Sequence, residues 1–222
     1  MDNNIIEDNM NIKISPNYDD TKLDSKSVDD LIDVFEDRVK YWLLEPAKVL
    51  LKTKNGDISS LCLLLTYFEG ITIYLRGKDS KNKSKAFFRE GFVEVMRSSG
   101  INDDLLGRAA DLIYSDARCG FFHDGCFRSR ILVSPDASHD LIITLPKKNG
   151  IIDKHGDIES IIINPNLILL AIESHFEHYL RKVRDVSNKE IRANFENACK
   201  IKWALDKPPV VIGLDPGNIT SP

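Results

Sequence analysis

One segment limits the possible folds of this chain more than any other. From about Asp57 to Leu75 the residues are apolar nearly all the way round a helical wheel, with Glu69 set among them. A helix with no polar face must lie between other helices or in a membrane. Ser, Thr and Gly interrupt the run, and it falls short of the ~20 uninterrupted apolar residues a bilayer span needs. The expectation is therefore a buried core helix with amphipathic helices around it, and no membrane.

Those surrounding helices are legible. Ser27 is placed to cap a first helix, with Asp29 and Asp30 in its opening turn. Val28, Leu31, Ile32, Phe35, Val39, Trp42 and Leu43 recur at helical spacing until Pro46, which kinks or ends the helix. Lys52 to Gly56 reads as a turn and Gly77 to Ser84 as a polar loop. A third helix is expected over Lys85 to Ser98, and a fourth, capped by Asn102 or Asp103, carries Leu105, Leu106, Ala109, Leu112 and Ile113.

The pattern then changes. Ser129 to Val133, Leu141 to Leu145 and Ile158 to Ile163 are short β-prone runs, with a turn at Asn149-Gly150. Pro165 opens a helix over Asn166 to Arg184, and a last helix spans Asn188 to Leu205. The predicted fold class is mainly α: a helical bundle with a small antiparallel β-sheet inserted before two C-terminal helices. Residues 1–26 are expected to be a flexible N-terminal arm. Residues 27–206 read as one domain with its β insertion at about 128–163, and residues 207–222, past the start of Pro208-Pro209, as a tail.

Composition narrows the function. A net charge of −4 argues against a broad basic nucleic-acid surface but leaves room for a local one. The cysteines Cys62, Cys119, Cys126 and Cys199 form no CxxC, so they read as reduced thiols, with no zinc site expected. No Gly-rich phosphate loop, HExxH or GxSxG motif is present, and no cofactor or metal is expected. Met1-Asp2-Asn3-Asn4 opens an acidic, polar stretch without a signal pattern, so a cytoplasmic location is expected.

The chemistry sits in Arg118-Cys119-Gly120-Phe121-Phe122-His123-Asp124-Gly125, where the fourth helix should finish. A guanidinium can hold a phosphate through several donors, and an imidazole can move a proton near neutral pH. Two long helices, the second apolar with a central Glu69, then a helix ending in Arg-x-x-x-x-His: this order resembles the HEPN superfamily, α-helical domains of bacterial defence and toxin systems. The resemblance covers roughly residues 27–125. It implies a metal-independent endoribonuclease that acts as a homodimer, with RNA as partner and an antitoxin or defence-system protein as a further one. On that resemblance Arg118 holds the scissile phosphate, and His123 is general base on the ribose 2′-hydroxyl or acid toward the leaving 5′-oxygen, giving a 2′,3′-cyclic phosphate. Many members carry Asn, Asp or His directly after the Arg, where this chain has Cys119. Members modified by a nucleotidyltransferase have Tyr two positions after the His, where this chain has Gly125.

Geometry sets a condition on this reading. A five-residue step on an ideal helix turns about 500° and rises ~7.5 Å, so the two side chains point some 140° apart. Either the helix end is distorted or a second copy supplies the missing partner. A competing account places His123 and Asp116 on the apolar side as a pair at the core edge, with Arg118 bound to Asp111 or Asp116. Glu69 either orients Arg118 or His123, or pairs with another Arg such as Arg76 or Arg97, or faces solvent. Cys119 and Asp124 are further supporting candidates. Arg128, Arg130 and Lys147-Lys148 are candidates for RNA backbone contact, whereas His175 and His178 with Glu173 and Glu177 read as a solvated face. The alternative function is a non-catalytic HEPN-like module that binds a protein partner or a nucleotide.

Overall fold

The first helix begins where a side chain can satisfy its orphan donors: Ser27 Oγ accepts from the backbone N–H of Asp30 at 3.0 Å. In the computed structural model, which describes residues 13–25, 27–203 and 205, α1 spans Val28–Arg38 and α2 spans Glu45–Leu51. A π-helical turn, Val39–Leu44, joins them, with the Glu45 N–H bonded to the Lys40 carbonyl. Pro46 therefore neither stops the helix nor leaves a standard turn before it. It removes one N–H, and the widened turn lies just upstream of its ring.

The apolar helix α3, Asp57–Arg76, is the centre of the bundle. It is long and apolar enough to cross a membrane, yet Leu61, Leu64, Leu65, Phe68 and Ile71 are all buried against neighbouring helices. Gly77 ends it in the left-handed region at φ 60°, and Asn194 Nδ2 donates to the Leu75 carbonyl at 2.9 Å. Helix α4, Ser84–Met96, crosses α3 closely at Gly91, where a Cβ would lie 2.0 Å from the Phe68 carbonyl oxygen. Thr72 Oγ1 donates across this crossing to the Phe87 carbonyl at 2.9 Å. Helix α5, Asp103–Ile113, is capped by Asn102, whose Oδ1 accepts from Leu105 N at 2.9 Å.

Helix α5 continues through a second π-helical turn, Tyr114–Cys119, into the short α6, Gly120–Asp124. Strands β1 (Ile131–Val133), β2 (Leu141–Thr144), β3 (Lys147–Lys148), β4 (Ile151–Ile152) and β5 (Ser160–Ile163) follow. They form a three-stranded sheet of order β1-β5-β2 and a separate β3-β4 hairpin. The sheet is mixed, not antiparallel as expected: β5 runs antiparallel to β2 but parallel to β1. The long excursion through the hairpin brings β5 back between the first two strands. The Asn149-Gly150 turn is confirmed, both residues having positive φ.

Helices α7 (Pro165–Arg184) and α8 (Lys189–Trp203) close the bundle. Phe176, Tyr179 and Phe195 pack edge-on around Phe35 of α1. Residues 13–25 correct the expected loose arm: they fold back on α1. Asn17 donates to Asp37 from its backbone at 2.9 Å and its side chain at 2.6 Å, and Arg38 Nε reaches the Ile14 carbonyl. The first twelve residues and the expected tail, 207–222, lie outside the described residues.

Candidate active site at the α5–α6 junction

A π turn accommodates one residue more than an α turn, so everything after it is rotated by about 100° relative to an unbroken α-helix. That re-phasing falls directly before the motif. Leu106, Ala110, Ile113, Ala117 and Gly120 line the buried side through the junction. Gly120 is needed there, because the returning chain passes with the Cys126 carbonyl 3.1 Å from where a Cβ would stand. Gly125, at φ 74°, ends α6 with its N–H on the Phe121 carbonyl.

Arg118 is held on three sides. Its Nη2 lies 3.2 Å from Glu69 Oε2, and its guanidinium sits 5.2 Å over the Tyr114 ring and 5.8 Å over the Phe122 ring. The other Glu69 oxygen accepts from the buried Ser80 Oγ at 2.8 Å. The partner of the core carboxylate is thus Arg118; Arg76 binds Glu90 instead, and Arg97 binds Glu94. Burial pushes the Tyr114 phenol up against the opposing pull of Arg118. Cys119, half-buried, stands where a polar residue was expected to support the motif.

His123 is exposed and, among the described residues, makes no hydrogen bond or ion pair. The expected His123–Asp116 pair does not form. Asp116 is buried, as its helical phase indicated, but it serves arginines: Oδ2 accepts from Arg130 Nε at 2.9 Å and Oδ1 from Ser115. Arg128 Nε binds Asp124 at 3.1 Å, and its Nη1 lies 4.0 Å from Asp116. Arg128 and Arg130, candidates for RNA contact, are therefore both engaged by carboxylates. Asp116 and Asp124 support the 125–130 segment and not the imidazole.

The junction brings Arg118, Glu69 and Cys119 together and puts Asp116, Asp124, Arg128 and Arg130 in a second cluster. No hydrogen bond joins Arg118 to His123 within one chain. Tyr114, Phe122 and Ser80 were missed from sequence. Tyr114 and Phe122 lie four residues before and after Arg118, a spacing that marks helical neighbours. Ser80 carried no sequence signal, because its role depends on the α3–α4 loop folding back onto Glu69.

Elsewhere, His175 corrects the expected solvated face. It is half-buried, bonded through Nδ1 to Tyr67 Oη at 2.9 Å, and burial lowers its pKa from 6.5. His178 is exposed, and Glu173 pairs with Lys48 at 2.6 Å. Among the described residues no three His, Cys, Asp or Glu converge as a metal-ligand set. Compared with protein families, with curated proteins and with solved structures, the chain matches none.

Proposed function

We propose that this chain is a metal-independent endoribonuclease of the HEPN type, a homodimer acting in the cytoplasm in bacterial defence or as a toxin. One observation carries the reading: Arg118 is anchored by Glu69 next to an exposed His123. Glu69 engages only Nη2 and leaves the rest of the guanidinium fork for a phosphate. The pair is accessible, so neither group is sealed from a nucleotide.

In the reaction, neutral His123 takes the ribose 2′-hydroxyl proton while O2′ forms a bond to phosphorus. Arg118 donates to the non-bridging oxygens as their charge grows. The P–O5′ bond then breaks, and an imidazolium returns a proton to the departing oxygen. A 2′,3′-cyclic phosphate and a 5′-hydroxyl result. Within one chain the two side chains share no hydrogen bond, and two copies placing their junctions side by side complete the site.

The test is incubation of RNA with wild type, Arg118→Ala and His123→Ala in EDTA. Cleavage by wild type should persist under chelation and fall by about 10²–10³ in each variant. Equal cleavage by all three proteins would remove the proposal.

A second reading, a non-catalytic module that binds a protein partner or nucleotide, draws on Cys119. It is a thiol where many members of the superfamily carry a polar Asn, Asp or His directly after the Arg. A strict monomer in solution that leaves RNA intact would favour this module.

A further inference from the structure

Between α3 and α4 the chain reads Arg76-Gly77-Lys78-Asp79-Ser80-Lys81-Asn82-Lys83-Ser84-Lys85, and Arg89 follows one turn later. Residues 76–89 hold six cations and one carboxylate in a chain whose net charge is −4. The loop's backbone is held at three points. Gly77 packs on Asn194, Asp79 accepts from Lys202 at 2.5 Å, and the buried Ser80 donates to Glu69. Lys78, Lys81 and Lys83 are exposed and have no ion pair among the described residues. Clustered on one loop, they raise a local positive potential that attracts a polyanion.

The loop is also tied to the candidate site. Glu69 is shared, one oxygen taking Ser80 of the loop and the other taking Arg118. Beyond the lysines opens a cleft of about 740 Å³, lined by Lys83, Lys85, Arg89, Asp111 and Tyr114. Asp111 offsets part of this charge, at 3.0 Å from Arg89 and 3.8 Å from Lys85. Tyr114 lines this cleft, and its ring also lies under the Arg118 guanidinium at 5.2 Å. Tyr114 is thus the link between the basic cleft and Arg118.

We propose that the α3–α4 loop and this cleft form the track for the phosphodiester backbone of single-stranded RNA leading to Arg118. This inference deepens the endoribonuclease reading and rests on it for the identity of the strand. It moves the electrostatic footprint away from Arg128 and Arg130, whose guanidiniums are already bound to carboxylates. Lys78, Lys81 and Lys83 neutralise backbone phosphates. The track reads charge and not the sugar, so single-stranded DNA of the same sequence binds with similar affinity and is not cut.

The experiment measures fluorescence anisotropy of a labelled, 2′-O-methylated single-stranded RNA over a range of salt. Wild type, the Lys78→Gln/Lys81→Gln/Lys83→Gln triple variant and a Lys147→Gln/Lys148→Gln hairpin control are compared. The triple variant should bind at least tenfold more weakly, and its log K against log salt slope should shrink by about 2. The hairpin control should bind within about threefold of wild type. A triple variant that binds like wild type, or a hairpin control that loses as much, overturns the track. So does a wild type with no affinity for the strand, including one that binds only an acidic protein. Loop-dependent binding of RNA that wild type never cleaves keeps the track and discards the nuclease.

Discussion

Glu69 shows how one partly buried carboxylate can be kept in an apolar helix. Its two oxygens accept from Ser80 and Arg118, so neither is left without a donor. Glu69→Gln retains an acceptor for Ser80 but removes the charge that holds the guanidinium. RNA cleavage by this variant should fall about tenfold with the melting temperature little changed. Unaltered cleavage would show that Glu69 does not position Arg118. His175 supplies a prediction of a different kind. Burial lowers its pKa from 6.5, so the folded protein holds the imidazole neutral where the unfolded chain protonates it. Its contribution is complete above the unfolded value and is lost as pH falls below 6.5 toward the folded value. The melting temperature should therefore drop between about pH 7.5 and about pH 5.5, and His175→Gln should flatten that drop. Parallel pH dependences of the two proteins would assign the loss to other groups.

At the scale of elements, close helix crossing and re-phased helices shape this molecule. Helices α3 and α4 approach so closely at Gly91 that a methyl group would strike the backbone oxygen of Phe68 and lie 2.7 Å from Thr72 Oγ1. The carbonyl cannot swing aside as a flexible side chain would. Gly91→Ala should cost about 1–3 kcal/mol or more, a fall of about 3–10 °C in melting temperature. Gly70 is the matched control on α3, because no atom lies within 4 Å of its added Cβ. Gly70→Ala should be neutral or stabilise by up to about 1 kcal/mol, and equal losses in both would refute the crossing argument. The two π turns each stand where an α-helical phase breaks: before Pro46, and before the Arg118–His123 motif. The second lets one helix bury Asp116 and Ala117 and still release His123 to solvent.

For the whole molecule, the proposed nuclease reaction requires a cation and an imidazole that share no hydrogen bond within one chain to meet on one phosphate. If Arg118 of one copy works with His123 of the other, mixing the two inactive variants restores function. Equal amounts of Arg118→Ala and His123→Ala should recover about a quarter of the wild-type cleavage, since half of the dimers are mixed and each has one intact site. No recovery, with mixed dimers verified by sedimentation or tag exchange, would place both groups of a working site on the same chain. Charge distribution follows the same scale. The acidic total conceals a lysine ridge at one loop and arginines neutralised at another, a contrast that net charge cannot report.

Local sequence pattern was enough to identify the core helix, the cap at Ser27, the capped start at Asn102 or Asp103, and the turn at Asn149-Gly150. Each depends on residues within a few positions of one another, and the burial of Asp116 was legible for the same reason. The mixed sheet was not, because pairing direction depends on where β5 lands after a long excursion. The continuation of the first helix past Pro46 was not either, since a π turn leaves no compositional mark. Nor could spacing choose among Arg118, Arg76 and Arg97 as the partner of Glu69. That choice, like the pairing of Asp116 with Arg130 in place of His123, is made by side chains far apart in the chain that folding brings together. Hydrogen-bond satisfaction in a buried place is decided by whichever donor arrives there.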